Sequence, residues 1–176
     1  MSFTGVMVRR APLPPFQELL DAHADSVIGF LRGFVGPTDA DDCFQETFLA
    51  ALRAYPRLEH GGELRAWLMT IARHKALDHH RAVARRPRPV AEPPEPSTSN
   101  GHGSVSEAAE AAELWEVVAS LPEGQRSAVA LRYAGGLRYR EVGVALGCSE
   151  EAARRRVSDG LRALRLRSTE LEALVR

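Results

Sequence analysis

Three consecutive arginines, Arg154–Arg156, are the residues of this sequence whose type and spacing most directly suggest a chemistry. A guanidinium group binds phosphate and can donate two hydrogen bonds to a guanine edge, so arginines on an exposed helix face are typical of DNA-binding proteins. Their spacing alone fits an ordinary solvated helix face equally well. The choice between the two interpretations depends on the elements that position the arginines.

The residues around the arginine run predict a helix–turn–helix, which favours DNA binding. Gly147 can adopt the left-handed conformation of a tight turn, and Ser149 is a favoured N-cap for the helix that follows. An inward-facing stripe in that helix consists of Ala153, Val157, Leu161 and Leu164. Side chains on the other face can reach bases or phosphates in the major groove. The candidate DNA-binding residues are Ser149, Arg154, Arg155, Arg156 and Ser158. We expect the first two arginines at base edges and the third nearer the backbone.

The sequence contains no recognisable catalytic or metal-binding motif. Its six histidines lack metal-ligand spacing, and no glycine-rich phosphate loop or nucleophile elbow is present. Cys43 and Cys148 are far apart and have no histidine or cysteine cluster beside them, so we interpret them as small buried thiols. We therefore expect neither an enzyme nor a metal or other cofactor.

Charge is unevenly distributed along the chain. The formal net charge is zero, with 23 basic and 23 acidic side chains, which argues against a uniformly basic nucleic-acid binder. Residues 64–88 nevertheless carry seven Lys or Arg and one Asp, and residues 121–167 carry ten Arg and five acids. Residues 89–120 carry six Glu and no basic side chain. Two basic segments therefore flank an acidic connector.

A flexible linker is predicted at the start of this connector. Residues 87–106 read PRPVAEPPEPSTSNGHGSVS, a Pro-, Ser- and Gly-rich stretch with too few apolar residues to offset its chain entropy. It would separate a domain of residues 12–86 from one of residues 107–170.

Neither a membrane-spanning apolar run nor a signal-peptide core is evident, so we expect no membrane insertion and a cytoplasmic location.

An all-α fold of two small helical domains is expected. Strand-type alternation is absent, and Ala, Leu, Arg and Glu dominate. The predicted helices are Phe16–Phe34, Asp39–Ala54, Glu63–Ala84, Glu107–Ala119, Pro122–Ala134, Tyr139–Leu146 and Glu150–Leu166. In the second helix the core-facing stripe is predicted to be Phe44, Phe48, Ala51, Leu52 and Tyr55. Another face of that helix carries Asp42, Gln45 and Glu46.

Both halves together resemble the extracytoplasmic-function (ECF, group IV) sigma factors of bacterial RNA polymerase. The segments DADDCFQETFLAAL (Asp39–Leu52) and LRAWLMTIARHKALDHHR (Leu64–Arg81) look like the family's σ2 domain. The segment LPEGQRSAVALRYAGGLRYREVGVALGCSEEAARRRV (Leu121–Val157) looks like σ4. The resemblance implies a σ2-like helical bundle and a σ4-like helix–turn–helix, which bind core RNA polymerase and direct promoter-specific initiation.

The resemblance also implies roles for individual residues. Asp42, Gln45 and Glu46 match the surface that docks on the β′ clamp helices of the polymerase. The residues that match the segment contacting the minus-ten element are Arg65, Trp67, Arg73, His74, Lys75 and Arg81. Among these, Trp67 lies in the apolar stripe, and His74 stands where many relatives have Asn. The helix–turn–helix candidates match the positions that read the minus-thirty-five element.

The implied partners are core polymerase (β′ clamp helices and β flap), promoter DNA and an anti-sigma factor. The alternative is a stand-alone helix–turn–helix regulator of the LuxR type, whose output domain looks similar to the C-terminal half. The N-terminal half argues against it, because it lacks the βα alternation of a receiver domain.

Overall fold

The computed structural model describes residues 13–58, 63–85 and 117–174, with side chains up to residue 167. All regular elements in these ranges are helical, which confirms the all-α prediction. They are α1 (Phe16–Val35), α2 (Pro37–Ala54), a 3-10 turn (Tyr55–Arg57), α3 (Leu64–Arg85), α4 (Glu123–Tyr133), α5 (Tyr139–Leu146) and α6 (Glu150–Leu174). Residues 117–119 are also helical. The predicted linker, residues 87–106, and most of the predicted helix Glu107–Ala119 lie outside the described residues.

The first three helices pack against one another around a core that α1 dominates. Val27, Phe30 and Leu31 of α1 are completely buried, as is Ala51 of α2. The predicted core stripe of α2 is wrong at Leu52, whose side chain is 51% exposed. Successive helical residues differ in direction by about 100°. Leu52 therefore turns away from Ala51, beyond the edge of the surface that α1 and α3 cover.

Helices α5 and α6 form the predicted helix–turn–helix. Gly147 has a φ of 62°, the left-handed conformation expected of it, and Ser149 Oγ accepts a hydrogen bond of 3.1 Å from the backbone N–H of Ala152. Ala153 and Val157 of α6 are buried as predicted. Most helix boundaries differ from the sequence-based expectation by no more than two residues, and the end of α6 differs by more. Helix α4 begins at Glu123, so Pro122 is its N-cap rather than its first residue, and α6 continues to Leu174.

The two halves share one apolar core. A single cluster of buried side chains includes Phe30 and Met69 from the first half and Leu131 and Leu137 from the second. Gly135, in the turn between α4 and α5, permits this approach, because a Cβ there would lie 2.4 Å from Met69 Cε. The described parts of the two halves are therefore packed together rather than independent.

Close packing also explains Gly160, a residue that is unfavourable for an α-helix. A Cβ at Gly160 would lie 2.7 Å from Val129 Cγ2, so only glycine lets α4 and α6 approach this closely. Glycine costs the helix roughly 0.5–1 kcal/mol relative to alanine. The close contact between the two helices compensates for that cost.

Gly160→Ala should lower the free energy of unfolding by about 1 kcal/mol, because overpacking costs about 1–3 kcal/mol and outweighs the gain in helix propensity. The measurement is urea unfolding followed by circular dichroism. Gly124→Ala, where a Cβ meets nothing within 4 Å, is the matched control and should not destabilise. Adding Val129→Ala to Gly160→Ala should remove the clash. If the two substitutions instead destabilised additively, the contact with Val129 would not be the reason for the glycine.

Candidate nucleic-acid interface

The N-terminal half of α6 presents arginine side chains to the surface. Arg154 is 60% exposed, and its Nη2 donates a 3.0 Å hydrogen bond to Glu150 Oε1, one turn earlier on the same helix. Arg155, Ser149 and Ser158 are also exposed. The structure therefore brings four of the five candidate residues of the helix–turn–helix onto one accessible surface, directly after a tight turn fixed by Gly147.

Arg156 has a different environment from the two arginines before it. Its side chain is half-buried, and Nη1 lies 3.6 Å from Cys148 Sγ in the turn between α5 and α6. Its charge is also close enough to Arg73 of α3 to contribute to lowering the pKa of that guanidinium. Arg156 thus faces the junction of the two halves. Cys148 is half-buried rather than fully buried, whereas Cys43 is buried as expected.

Two basic residues expected at the minus-ten element, Arg65 and Arg73, contact the second half of the chain. Arg65 Nη2 donates hydrogen bonds to the Gly135 carbonyl (2.7 Å) and to Ser26 Oγ (3.3 Å). Arg73 Nη2 lies 3.1 Å from Glu123 Oε1, and Arg73 Nε donates to Ser127 Oγ at 3.3 Å. In this arrangement both guanidinium groups donate hydrogen bonds to the second half of the chain.

Burial is the main cause that lowers the pKa of Arg73, and the charge of Glu123 acts in the opposite direction. Only 17% of the Arg73 side chain is exposed. A charged group withdrawn from water in this way needs its hydrogen-bond partners. Glu123 and Ser127 therefore stabilise the charged guanidinium of Arg73 more than an exposed ion pair would.

The remaining minus-ten candidates lie on other sides of α3. Trp67, His74 and Arg81 are seven residues apart and so lie on one side of the helix. His74 and Arg81 are exposed, and Arg81 forms an ion pair of 3.1 Å with Asp78. Trp67 is half-buried, with its ring centroid 6.2 Å from that of Tyr55, which fits packing better than free presentation to a base.

Lys75 of α3 points toward α2. Its Nζ lies 3.3 Å from Glu46 Oε2, and both side chains are at least partly exposed. An exposed pair of this kind contributes about 0–1 kcal/mol. The contact is therefore weak enough to exchange for another partner of either residue.

The exposed face of α2 carries the predicted docking residues and two apolar side chains that the sequence analysis missed. Asp42, Gln45 and Glu46 are exposed. Leu49 and Leu52 are 53% and 51% exposed and lie on the same side of the helix. Sequence patterning assigned Leu52 to the core and gave Leu49 no role. Leu49 follows Gln45 and Glu46 by four and three residues, and Leu52 follows Leu49 by three, a spacing that could have indicated a shared face.

Two of the three histidines of α3, His79 and His80, make ordinary structural contacts. His79 Nε2 lies 3.1 Å from Asp39 Oδ2, and His80 Nε2 lies 2.8 Å from the Phe34 carbonyl. Burial lowers the pKa of His80 below its usual value of 6.5. Among residues 13–58, 63–85 and 117–167, no group of three or more His, Cys, Asp or Glu side chains could hold a metal ion.

No helix in the described part of the chain is long and apolar enough to span a membrane.

Comparison with known families assigns both halves of the chain. Residues 19–86 match the model of sigma-70 region 2, and residues 111–164 match that of sigma-70 region 4. The ECF RNA polymerase sigma factor SigC of Mycobacterium tuberculosis is 35% identical over 144 residues, covering 81% of this chain and 77% of its own. The sigma factor CarQ of Myxococcus xanthus is 34% identical over 164 residues, covering 89% and 91%.

Solved structures agree with these matches. CnrH, solved in complex with the cytosolic domain of CnrY, has a TM-score of 0.67 and 27% identity, covering 90% of this chain and 88% of its own. The sigma factor RpoE of Bartonella quintana, solved with the anti-sigma factor NepR, has a TM-score of 0.63 over 85% of this chain and 93% of its own. At 23% identity it supports the fold alone.

These matches give no support to the alternative of a LuxR-type regulator, because they assign the N-terminal half as well as the helix–turn–helix. Two relatives that are at least 34% identical, and of which this chain covers more than two thirds, are RNA polymerase sigma factors. The chain belongs to the extracytoplasmic-function family of RNA polymerase sigma factors, the subunits that bind core polymerase and direct promoter-specific initiation of transcription.

Proposed function

We propose that this sigma factor reads the minus-thirty-five element with α6, contacts the minus-ten element with α3, and docks on core polymerase with α2. The observation that carries the proposal is the exposed surface of α6, where Arg154 and Arg155 follow a turn with a left-handed Gly147 and a capping Ser149. A second helix placed in this way can present its N-terminal residues to the major groove.

The candidate minus-ten residues fall into two groups that differ in whether they are accessible while the two halves are packed together. His74 and Arg81 are exposed and can reach DNA in the arrangement described here. Arg65 and Arg73 cannot, because they are hydrogen-bonded to Gly135, Ser127 and Glu123 of the second half. Contact of these two arginines with phosphates therefore requires that the halves separate.

The docking surface combines charge with exposed apolar area. Asp42, Gln45 and Glu46 supply polar contacts to the β′ clamp helices, and Leu49 and Leu52 supply apolar area that no described residue covers. Apolar side chains surrounded by polar ones are typical of protein interfaces. The pair Glu46–Lys75 would open on docking, at a cost that is small for an exposed ion pair.

The proposal also includes an anti-sigma factor as a partner, a cytoplasmic location and the absence of catalytic chemistry. CnrH, which is similar to this chain over most of its length, was solved in complex with the cytosolic domain of CnrY. A factor that acts by recruiting a polymerase to DNA needs binding surfaces rather than a reactive group, and the exposed faces of α2 and α6 are such surfaces.

Purified chain added to core polymerase should support initiation from a promoter library randomised in the minus-thirty-five element, with a defined base preference. Arg155→Ala should relax the preference at one position, because a bidentate Arg–guanine contact contributes about 1–3 kcal/mol of discrimination. Arg156→Ala should leave the base preference unchanged, because Arg156 is half-buried and faces the junction of the two halves. A uniform loss of output for Arg155→Ala, with unchanged base preference, would show a phosphate contact and contradict base reading.

Reversing charge on α2 tests polymerase docking. Asp42→Lys together with Glu46→Lys should weaken binding to core polymerase, measured by fluorescence anisotropy of the labelled sigma factor, without loss of helical content. Asp21→Lys together with Asp25→Lys, an equal charge change at exposed positions of α1, is the control for net charge. Lys75→Gln breaks the pair with Glu46 and controls for that contact. Equal affinities for the α2 variant and the wild type would contradict the docking assignment.

Glu123→Arg should drive the two halves apart, because it places a guanidinium against Arg73, which Arg156 already repels. Small-angle X-ray scattering should then give a larger radius of gyration than for the wild type, and energy transfer between dyes on α2 and α5 should fall. Asp21→Arg, an equal charge change at an exposed position of α1, should change neither value. Unchanged dimensions for Glu123→Arg would mean that the pair with Arg73 does not hold the halves together.

A further inference from the structure

The aromatic ring of Tyr139, the first residue of α5, contacts an arginine of the DNA-reading helix. The Arg154 guanidinium carbon lies 4.6 Å from the ring centroid. Hydrogen bonds fix the first residues of both helices, α5 and α6. The backbone N–H of Arg138 donates a 2.7 Å hydrogen bond to Glu141 Oε2 at the start of α5, and Ser149 caps α6. The ring and the guanidinium are therefore brought together by two fixed helix starts.

The Tyr139 ring also contacts an arginine of α4. Arg132, at the end of α4, has its guanidinium carbon 5.1 Å from the Tyr139 centroid, and its Nη1 donates to the Leu137 carbonyl at 3.3 Å. Tyr139 itself is half-buried. The Tyr139 ring is therefore restrained by neighbouring residues rather than free to move at the surface.

Arg154 is restrained by two different contacts. Its guanidinium carbon lies over the Tyr139 ring, and one terminal nitrogen, Nη2, donates to Glu150 Oε1. A cation–π contact uses the face of the guanidinium and leaves the in-plane N–H groups free to donate. Those in-plane donors are the ones that a bidentate contact to a guanine edge requires.

Arg155 provides the internal comparison. It is exposed on the same turn of α6, yet within the residues that the structure describes it has no ring or carboxylate contact of this kind. An exposed arginine has about 2 kcal/mol of side-chain rotamer entropy to lose on binding. Arg154 has part of that freedom removed before DNA arrives, which reduces the cost of ordering it.

We propose that Tyr139 is a specificity-determining residue of the minus-thirty-five contact, acting as a positioning residue that orients the guanidinium of Arg154 for one base. This inference rests on the proposed function of α6, and it adds a residue outside α6 to the reading surface. A cation–π contact at an exposed site contributes about 0.5–1 kcal/mol, so its loss should reduce discrimination at that base by about two- to fivefold.

The test is transcription by core polymerase and the full chain over a library randomised in the minus-thirty-five element. Position 139 carries Tyr, Phe, Leu, or phenylalanine with increasing numbers of ring fluorines. Tyr139→Phe should keep the wild-type preference, because the ring remains. Tyr139→Leu should lose about two- to fivefold of the preference at the position that Arg154→Ala alters. Progressive fluorination should lower the preference in steps, because it weakens the ring's attraction for a cation while its shape hardly changes.

The fluorinated series keeps the inference falsifiable if Tyr139→Leu folds poorly. In an Arg154→Ala background, Tyr139→Leu should cause no further change in base preference. If fluorination leaves preference unchanged while Arg154→Ala alters it, the positioning role is wrong and the proposed function stands. If Arg154→Ala lowers output with no change in preference, base reading by Arg154 is wrong and the positioning role falls with it. If the wild type directs no specific initiation, the proposed function itself fails.

Discussion

A single apolar core that crosses from the first half of the chain to the second is the constraint on which the other features depend. Met69 of α3 and Leu131 of α4 are both completely buried in it. A domain of about 60 residues buries only about 60% of the surface that its unfolded chain exposes. Each half alone is therefore a small domain with a limited core, and packing against the other half adds burial that neither could obtain by itself.

This shared core determines which charged side chains remain available. Arg65 and Arg73 lie on the side of α3 that meets the second half, and they satisfy a backbone carbonyl, a hydroxyl and a carboxylate there. The residues proposed for docking, and Arg154 and Arg155 of α6, lie on faces that the junction does not cover. On the proposed function, Arg65 and Arg73 thus have two competing sets of partners, one inside the protein and one in the phosphate backbone of DNA.

Much of the fold was predictable from sequence because it depends on local chemistry. The periodicity of apolar residues predicted the helices, and the Gly147–Ser149 turn was predicted from backbone freedom and capping alone. The exposure of Leu52 was not, because periodicity reports the apolar side of one helix and not how far its neighbours cover it. The internal partners of Arg65 and Arg73 depend on how the two halves pack. The contact between Tyr139 and Arg154 likewise depends on the relative placement of two helices, which no pattern within one segment encodes.

The unequal coverage of the two proposed DNA surfaces has a kinetic consequence. Arg154 and Arg155 are exposed while the halves are packed together, whereas Arg65 and Arg73 become available only after the halves part. On this assignment, the contacts of α6, His74 and Arg81 can form at a rate set by encounter, and the contacts of Arg65 and Arg73 follow an internal rearrangement. The chain would thus bind a promoter in two kinetic steps. The rate of the first would depend on DNA concentration, and the rate of the second would not.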